Sequence, residues 1–130
     1  MTASMLIILV PGALLTAFVI YRFLVTRSVP RVDPAVASER IRAGGAILLD
    51  VRTEAERRAG TIHGSSHIPL HEVRGRASEL KKFGAKEIIC FCQTGSRSIG
   101  AASRLRSLGI NASSLDGGIG EWNFVHRAPR

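Results

Sequence analysis

Cysteine, aromatic residues and runs of basic residues are all scarce in this 130-residue chain. Its two cysteines, Cys90 and Cys92, are separated by a single residue. A disulfide between them could not link distant parts of the fold, so no disulfide framework is expected. A small protein stabilised by several disulfides is therefore excluded, and we expect the thiols to be kept reduced in use.

The charge balance is strongly basic, with a formal net charge of +8 from 18 Lys and Arg against 10 Asp and Glu. Such a balance is typical of proteins that meet nucleic acid, an anionic membrane surface or anionic substrates. The basic residues are scattered without a run, however, and aromatic residues make up only 5% of the chain. The sequence therefore argues against nucleic acid as a partner.

The first 21 residues contain no charged side chain, and residues 5–25 are almost entirely apolar, with one Arg22. A helix over residues 5–25 would be about 30 Å long, enough to span a bilayer, with the guanidinium of Arg22 extended toward the headgroups. A signal peptide expects a positive start and a small-residue cleavage site, and a core helix expects a polar face. The segment has no convincing positively charged start, cleavage site or polar face. We therefore predict a transmembrane anchor over residues 1–25 and a linker over residues 26–32.

The orientation of this anchor follows from the flanking charges. Arg22, Arg27 and Arg31 lie at or after its end, whereas only the α-amino group precedes it. The positive-inside rule then predicts a single-pass membrane protein whose catalytic domain lies on the cytoplasmic side. The same arginines can hold the domain close to anionic lipid headgroups.

Residues 33–130 alternate strand patterns with helix patterns, which predicts an α/β domain with a small parallel sheet and helices on both faces. The predicted strands are residues 46–50, 67–70, 87–92 and 111–115. The predicted helices are residues 34–43, 54–58, 72–83 and 99–108, with a final helical turn over residues 118–124.

The most informative stretch joins the third of these strands to the helix that follows. Cys92 ends the strand, and the connecting residues are Gln93, Thr94, Gly95, Ser96, Arg97 and Ser98. A loop at the start of a helix can turn several backbone N–H groups inward, and the helix dipole adds to their field. We therefore expect a thiol of lowered pKa that acts as a nucleophile near neutral pH.

This Cys-x4-Arg loop resembles the active-site loop of the rhodanese family of sulfurtransferases. Three more stretches are similar to segments of that family and occur in the same order. They are Asp50-Val51-Arg52, residues 60–69 (Gly-Thr-Ile-His-Gly-Ser-Ser-His-Ile-Pro), and Asp116-Gly117-Gly118-Ile119 followed by Glu121-Trp122. With the loop, they extend over nearly all of the chain outside the N-terminus, so the chain resembles a single-domain rhodanese preceded by a membrane anchor.

The resemblance implies transfer of sulfane sulfur from a small anionic donor, such as thiosulfate or a persulfide, through a persulfide on Cys92 to a thiol or protein acceptor. It makes residues 93–98 the substrate-binding loop and gives Asp50 and Arg52 a supporting role beside the pocket. Glu56 matches an acidic residue that is usual after that motif. No metal or organic cofactor is implied. The sequence does not name the physiological donor or acceptor.

Two alternatives stay open. In a phosphatase or an arsenate reductase a Cys loop at a helix start also holds a tetrahedral oxyanion, but the rhodanese-like phosphatases have five residues between Cys and Arg, whereas this chain has four. A membrane-tethered binding module without turnover is the other, although such family members usually lack the cysteine. Three departures from the family pattern leave substrate preference and rate open: Arg57 in place of an aromatic, Thr61 in place of a histidine and Ile119 in place of a tryptophan.

The remaining candidates have structural explanations. Cys90 lies on the same side of its strand as Cys92, and its apolar surroundings favour an inert core thiol over a resolving one. His63, His67 and His71 recur every four residues, but Gly64 and Pro69 prevent a continuous helix that would present them to a metal. Trp122 is expected to pack in the core behind the site.

Overall fold

The computed structural model describes residues 2–27 and 29–127. Its helices are α1 (Ala3–Arg27), α2 (Pro34–Arg42), α3 (Glu54–Ala59), α4 (Val73–Arg76), α5 (Ser96–Ser107) and α6 (Gly118–His126). Its strands are β1 (Arg31–Val32), β2 (Ala46–Asp50), β3 (Ser66–His67), β4 (Glu87–Phe91) and β5 (Ala112–Leu115). Short 3₁₀ turns, Leu70–Glu72 and Ala77–Phe83, precede and follow α4.

The strands form one parallel sheet in the order β1-β5-β4-β2-β3, which confirms the predicted α/β class. β4 lies at the centre and is buried on both faces, because its side chains alternate between two hydrophobic clusters. Ile88 and Cys90 pack toward α4 and α5, whereas Ile89 and Phe91 pack toward α2 and α6. The carboxyl end of β4 is therefore held firmly in the middle of the domain.

The local signals for two helix starts are confirmed. Asp33 caps α2 by accepting a 2.8 Å hydrogen bond from the N–H of Ala35, and Pro34 occupies the first turn, where no N–H is needed. At α3, Thr53 and Glu56 form a reciprocal capping box, in which each side chain accepts a hydrogen bond from the other's backbone N–H.

Two predicted elements, the strand at β3 and the helix that follows it, are wrong in extent. The predicted strand over residues 67–70 is only Ser66–His67, because Pro69 lacks an N–H and the chain turns into the 3₁₀ segment after it. The predicted helix over residues 72–83 is one turn of α-helix between two 3₁₀ segments, with Gly75 inside that turn. Its apolar face is nevertheless as expected, since Val73, Ala77 and Leu80 are buried.

The sheet also begins before the predicted domain boundary. Arg31 and Val32, in the segment that the sequence assigns to a linker, form β1 beside β5. The N–H groups of Ser114 and Asp116 donate to the carbonyls of Pro30 and Val32 at 2.9 and 2.8 Å. The first part of the sheet thus follows α1 after only a few residues.

α1 contains one apolar window, Ile7–Leu24, with a mean hydropathy of 2.1, and none of this window is buried. Its exposure excludes the interpretation as a core helix of the domain. Its length and composition suit a membrane anchor, and because it lies near the N-terminus they also suit a signal sequence.

Candidate active site

Cys92 follows β4 directly, and the loop after it curls around the sulfur before α5 begins. Gly95 makes this curl with a φ of +114°, a conformation that a side chain would disfavour. Its N–H donates a 3.0 Å hydrogen bond to Sγ of Cys92. The hydroxyl oxygen of Ser98, in the first turn of α5, lies 3.5 Å from the same sulfur.

The loop lowers the pKa of the Cys92 thiol. Burial opposes ionisation, but hydrogen bonds from the Ser98 hydroxyl and from the N–H groups of Ser98, Gly95 and Thr94 favour the thiolate and prevail. The N-terminus of α5 adds its positive dipole end. The pKa of Cys92 is thus shifted in the direction that the sequence pattern predicted.

The Ser98 hydroxyl that contacts the Cys92 sulfur belongs to a buried pair of serine hydroxyls. Ser98 Oγ lies 2.8 Å from the hydroxyl of Ser114 on β5 and 3.0 Å from the carbonyl of Gly95. Both serines are almost fully buried, at 0 and 2% exposure. Ser114 was not identified from the sequence, where it reads as an ordinary polar residue in a weak strand.

The Cys92 side chain has no exposed surface. Of the loop residues, Gln93, Thr94 and Ser96 are exposed and form the rim, whereas Gly95 and Arg97 are half-buried and Ser98 is buried. A cleft of about 260 Å³ runs along this rim, lined by Thr94, Gly95, Ser96 and Ser114 with Arg31 and Asp116. Cys92 itself is not among the residues that line this cleft.

Cys90 differs sharply from Cys92 although it is only two residues away. It is fully buried inside β4, and burial together with the nearby Cys92 raises its pKa. A thiol in that state is a poor nucleophile at neutral pH. The environment of Cys90 thus agrees with the interpretation as an inert core residue.

Arg97 braces the loop against another helix. Its guanidinium forms two hydrogen bonds of 2.7 and 2.8 Å with the carboxylate of Glu56, the residue of the α3 capping box. This arrangement lowers the pKa of Glu56 to about 2. The guanidinium of Arg97 is thus held by Glu56 and braces the loop.

Asp50 and Arg52 form a buried ion pair at the end of β2. Arg52 donates to both carboxylate oxygens of Asp50, at 3.1 and 3.0 Å, and to the carbonyl of Gly60 at 2.6 Å. Burial alone would raise the pKa of Asp50, but the Arg52 hydrogen bonds and charge lower it. The pair therefore fixes the chain on both sides of α3.

Two of the departures from the family pattern belong to this network. Thr61 donates a 2.8 Å hydrogen bond to Asp50, and a guanidinium nitrogen of Arg57 lies 3.5 Å from the same oxygen. Arg57 also donates to the carbonyl of Ser65 at 2.8 Å. The two substitutions thus act together in the loop after α3.

The histidines of this region have no arrangement suited to a metal. A ring nitrogen of His67 lies 2.8 Å from the carbonyl of Arg52. Over residues 2–27 and 29–127 there is no group of three or more His, Cys, Asp or Glu side chains placed to hold an ion.

The closing Gly-Gly segment holds the back of the loop. Gly118 has a φ of +63°, and a Cβ added there would lie 2.5 Å from the carbonyl oxygen of Cys92 and 2.6 Å from that of Gln93. The N–H of Ile119 donates to the same Cys92 carbonyl at 2.9 Å. Trp122 is only half-buried and stacks on His126 at 4.0 Å, so it packs at the edge of the core.

Comparison with known proteins agrees with this geometry. The family model of the Rhodanese-like domain matches residues 33–124. The chain therefore belongs to the rhodanese-like family.

Named relatives point the same way. The chain is 33% identical over 110 residues to a human thiosulfate:glutathione sulfurtransferase, with 75% of this chain and 91% of that protein covered. It is 31% identical over 96 residues to a sulfurtransferase of Allochromatium vinosum, with 72 and 88% covered. The crystal structure of a rhodanese-related protein from Thermoplasma volcanium superposes with a TM-score of 0.68 at 30% identity, covering 76% of this chain and 95% of that one. These similarities support a sulfurtransferase-type function in general.

Proposed function

We propose that this protein is a rhodanese-type sulfurtransferase that carries sulfane sulfur as a persulfide on Cys92. One observation carries the proposal. The Cys92 sulfur is contacted by the N–H of Gly95 and the hydroxyl of Ser98, and the pKa of its thiol is lowered. Residues 93–98 form the binding loop, and Asp50 and Arg52 support the chain beside it.

The first half-reaction loads the enzyme. The Cys92 thiolate attacks the outer sulfur of thiosulfate, a bond forms between Sγ and that sulfur, and the S–S bond of thiosulfate breaks as sulfite leaves with the electron pair. Backbone N–H groups of the loop stabilise the negative charge of the persulfide. A loop with four residues between Cys and Arg encloses a small space, which suits a single sulfur atom better than a phosphoryl group.

The second half-reaction transfers the sulfur from Cys92 to an acceptor. An acceptor thiolate attacks the outer sulfur of the Cys92 persulfide, the acceptor leaves as a persulfide, and Cys92 is released as the thiolate. Because Cys92 is enclosed in the structure, both half-reactions require its sulfur to become accessible. No metal or organic cofactor takes part in either step.

We further propose that α1 anchors the protein in a membrane, with the N-terminus outside and the domain on the cytoplasmic side. The uncovered apolar window Ile7–Leu24 supports the anchor, and the basic residues at its end support the orientation. Sulfur is then accepted or delivered next to the membrane surface.

Turnover with thiosulfate and cyanide tests the sulfurtransferase proposal. The full chain in neutral detergent should form sulfite and thiocyanate in equal amounts, and Cys92→Ser should form neither. Cys90→Ala is the matched control, because Cys90 is the other buried thiol, two residues earlier within β4, and it should keep the activity. Activity that survives in Cys92→Ser would contradict the proposal.

The complete burial of Cys92 favours one alternative, a tethered module that binds a partner without turnover. This alternative predicts that a folded wild-type chain forms no thiocyanate with thiosulfate or with polysulfide as the donor. The same assay therefore separates the two functions.

A further inference from the structure

A cavity of about 340 Å³ lies between the anchor helix and the domain. It is lined by Arg22 of α1, by Leu70, His71 and Arg74 around the start of α4, and by Arg104 of α5. α1 packs against α5 at this place. The Cys92 loop contributes no residue to this lining.

The lining of this cavity is strongly cationic. It includes three arginines and a histidine, and no carboxylate is among the residues that line it. Glu72 and Glu79, the acidic residues close to Arg74 in the sequence, are paired with Arg76 instead, at 3.1 and 2.7 Å. Among the residues that line the cavity, there is thus no acidic side chain to pair with Arg74 or Arg104.

One lining group also lacks an acceptor. The Nη1 atom of Arg104 is buried and has no hydrogen-bond partner among the described residues. A buried charged donor without an acceptor is unfavourable, and native structures rarely leave one unexplained. Arg104 thus carries an unmet donor beside the cavity that it lines. Arginine side chains suit a phosphate group in particular, because their planar donors match its oxygens.

The position of the cavity indicates where such a phosphate would come from. Arg22 lies near the end of the apolar window Ile7–Leu24. In a bilayer spanned by that window, this end reaches the depth of the headgroup phosphates. We propose that the cavity formed by Arg22, His71, Arg74 and Arg104 binds the phosphate of an anionic phospholipid headgroup.

The proposal depends on the membrane position of α1 and is independent of sulfur transfer. It has a consequence for the active site, because Leu70, His71 and Arg104 also line a neighbouring cavity that reaches Arg97 and Thr53. A headgroup bound beside α1 would hold the Arg97 side of the active-site loop near the membrane surface.

Native mass spectrometry of the full chain in neutral detergent tests this site. With phosphatidylglycerol and phosphatidylcholine both present, the wild type should retain one phosphatidylglycerol, at a mass that also shows α1 to be intact. The double variant Arg74→Gln and Arg104→Gln should bind it at least about tenfold more weakly, since two charge-assisted contacts are lost. Arg104→Lys, which keeps the charge without the planar fork, should fall between the two.

The matched control is Arg58→Gln. It removes the same charge from an exposed arginine that pairs with Glu54 and does not line the cavity, and it should bind phosphatidylglycerol like the wild type. An equal loss of phosphatidylglycerol binding in this control would show that the effect depends only on the net charge of the protein, and it would overturn the proposal. Equal retention of phosphatidylcholine, or a chain that has lost α1, would overturn it as well.

A second arm uses inorganic phosphate as the competitor. Displacement of phosphatidylglycerol only at phosphate concentrations far above that of the lipid supports the lipid headgroup as the source. Displacement at equal concentrations would make free phosphate the ligand and overturn the lipid assignment. Neither arm measures sulfur transfer, so failure here is distinguishable from failure of the sulfurtransferase proposal.

Discussion

Arg97 and Glu56 are 41 residues apart in the sequence and are joined by two hydrogen bonds of 2.7 and 2.8 Å. The pair connects the last residue of the Cys-x4-Arg loop to the capping box at the start of α3. Since Asp50 and Arg52 hold the chain on both sides of α3, the loop around Cys92 is braced by the end of the neighbouring strand β2. Arg97 thus stabilises the shape of the loop.

Glu56→Gln should weaken this brace with little other change, because glutamine also completes a capping box. About one third of each side chain is exposed, so solvent screens the pair and the loss of unfolding free energy should be about 1 kcal/mol. Urea unfolding of the full chain in detergent measures it. Glu54→Gln removes the same charge from the exposed Glu54–Arg58 pair and should change stability by less. Equal effects of the two variants would argue against the brace.

The same pair predicts a pH dependence. The pKa of Glu56 is lowered from 4.5 to about 2, so its contribution to stability is complete above pH 4.5 and is lost as the pH falls toward 2. The difference in unfolding free energy between wild type and Glu56→Gln should therefore be constant at neutral pH and shrink over this acid range. A difference that stays constant down to pH 2 would show that Glu56 is not held ionised by Arg97.

Ser98→Ala should raise the pKa of Cys92, because it removes the hydroxyl that favours the thiolate. The loss of one hydrogen bond to the sulfur corresponds to roughly a fivefold lower thiolate population at neutral pH. The rate of iodoacetamide alkylation as a function of pH measures this shift. Ser96→Ala, on the exposed rim of the same loop, is the control and should leave the profile in place. An unchanged profile in Ser98→Ala would contradict the assigned role.

Gly118→Ala should destabilise the fold by about 3 kcal/mol, since the new Cβ meets the Cys92 and Gln93 carbonyls in a left-handed conformation. Gly109→Ala is a matched control, because its φ of +81° is similar but a Cβ there meets nothing within 4 Å. It should cost only about 1 kcal/mol. Thermal unfolding compares the two, and a similar loss in both would show that the close approach to the loop carries no energy.

The sequence predicts the parts of this molecule that depend on local pattern. β2 has the predicted bounds because residues 46–49 form an uninterrupted apolar run that ends at Asp50. The loop around Cys92 is also predictable, since the chemistry of a cysteine between a strand and a helix depends on the residues next to it. The single helix predicted over residues 72–83 is wrong because Gly75 and tertiary packing override its apolar periodicity.

Contacts between distant segments could not be predicted in the same way. The Arg97–Glu56 brace, the link from Thr61 and Arg57 to Asp50, and the Ser98–Ser114 hydroxyl pair each require the folded sheet to bring the partners together. Nor does the pattern indicate that the Cys92 side chain is completely enclosed.

Intact-mass measurement of the full chain before and after thiosulfate tests the central claim most directly. We predict that the wild type gains the mass of one sulfur atom, that cyanide removes the gain, and that Cys92→Ser shows none. A folded wild-type chain that gains no sulfur from thiosulfate or from polysulfide would contradict the persulfide mechanism. A gain that persists in Cys92→Ser would contradict the assignment of Cys92.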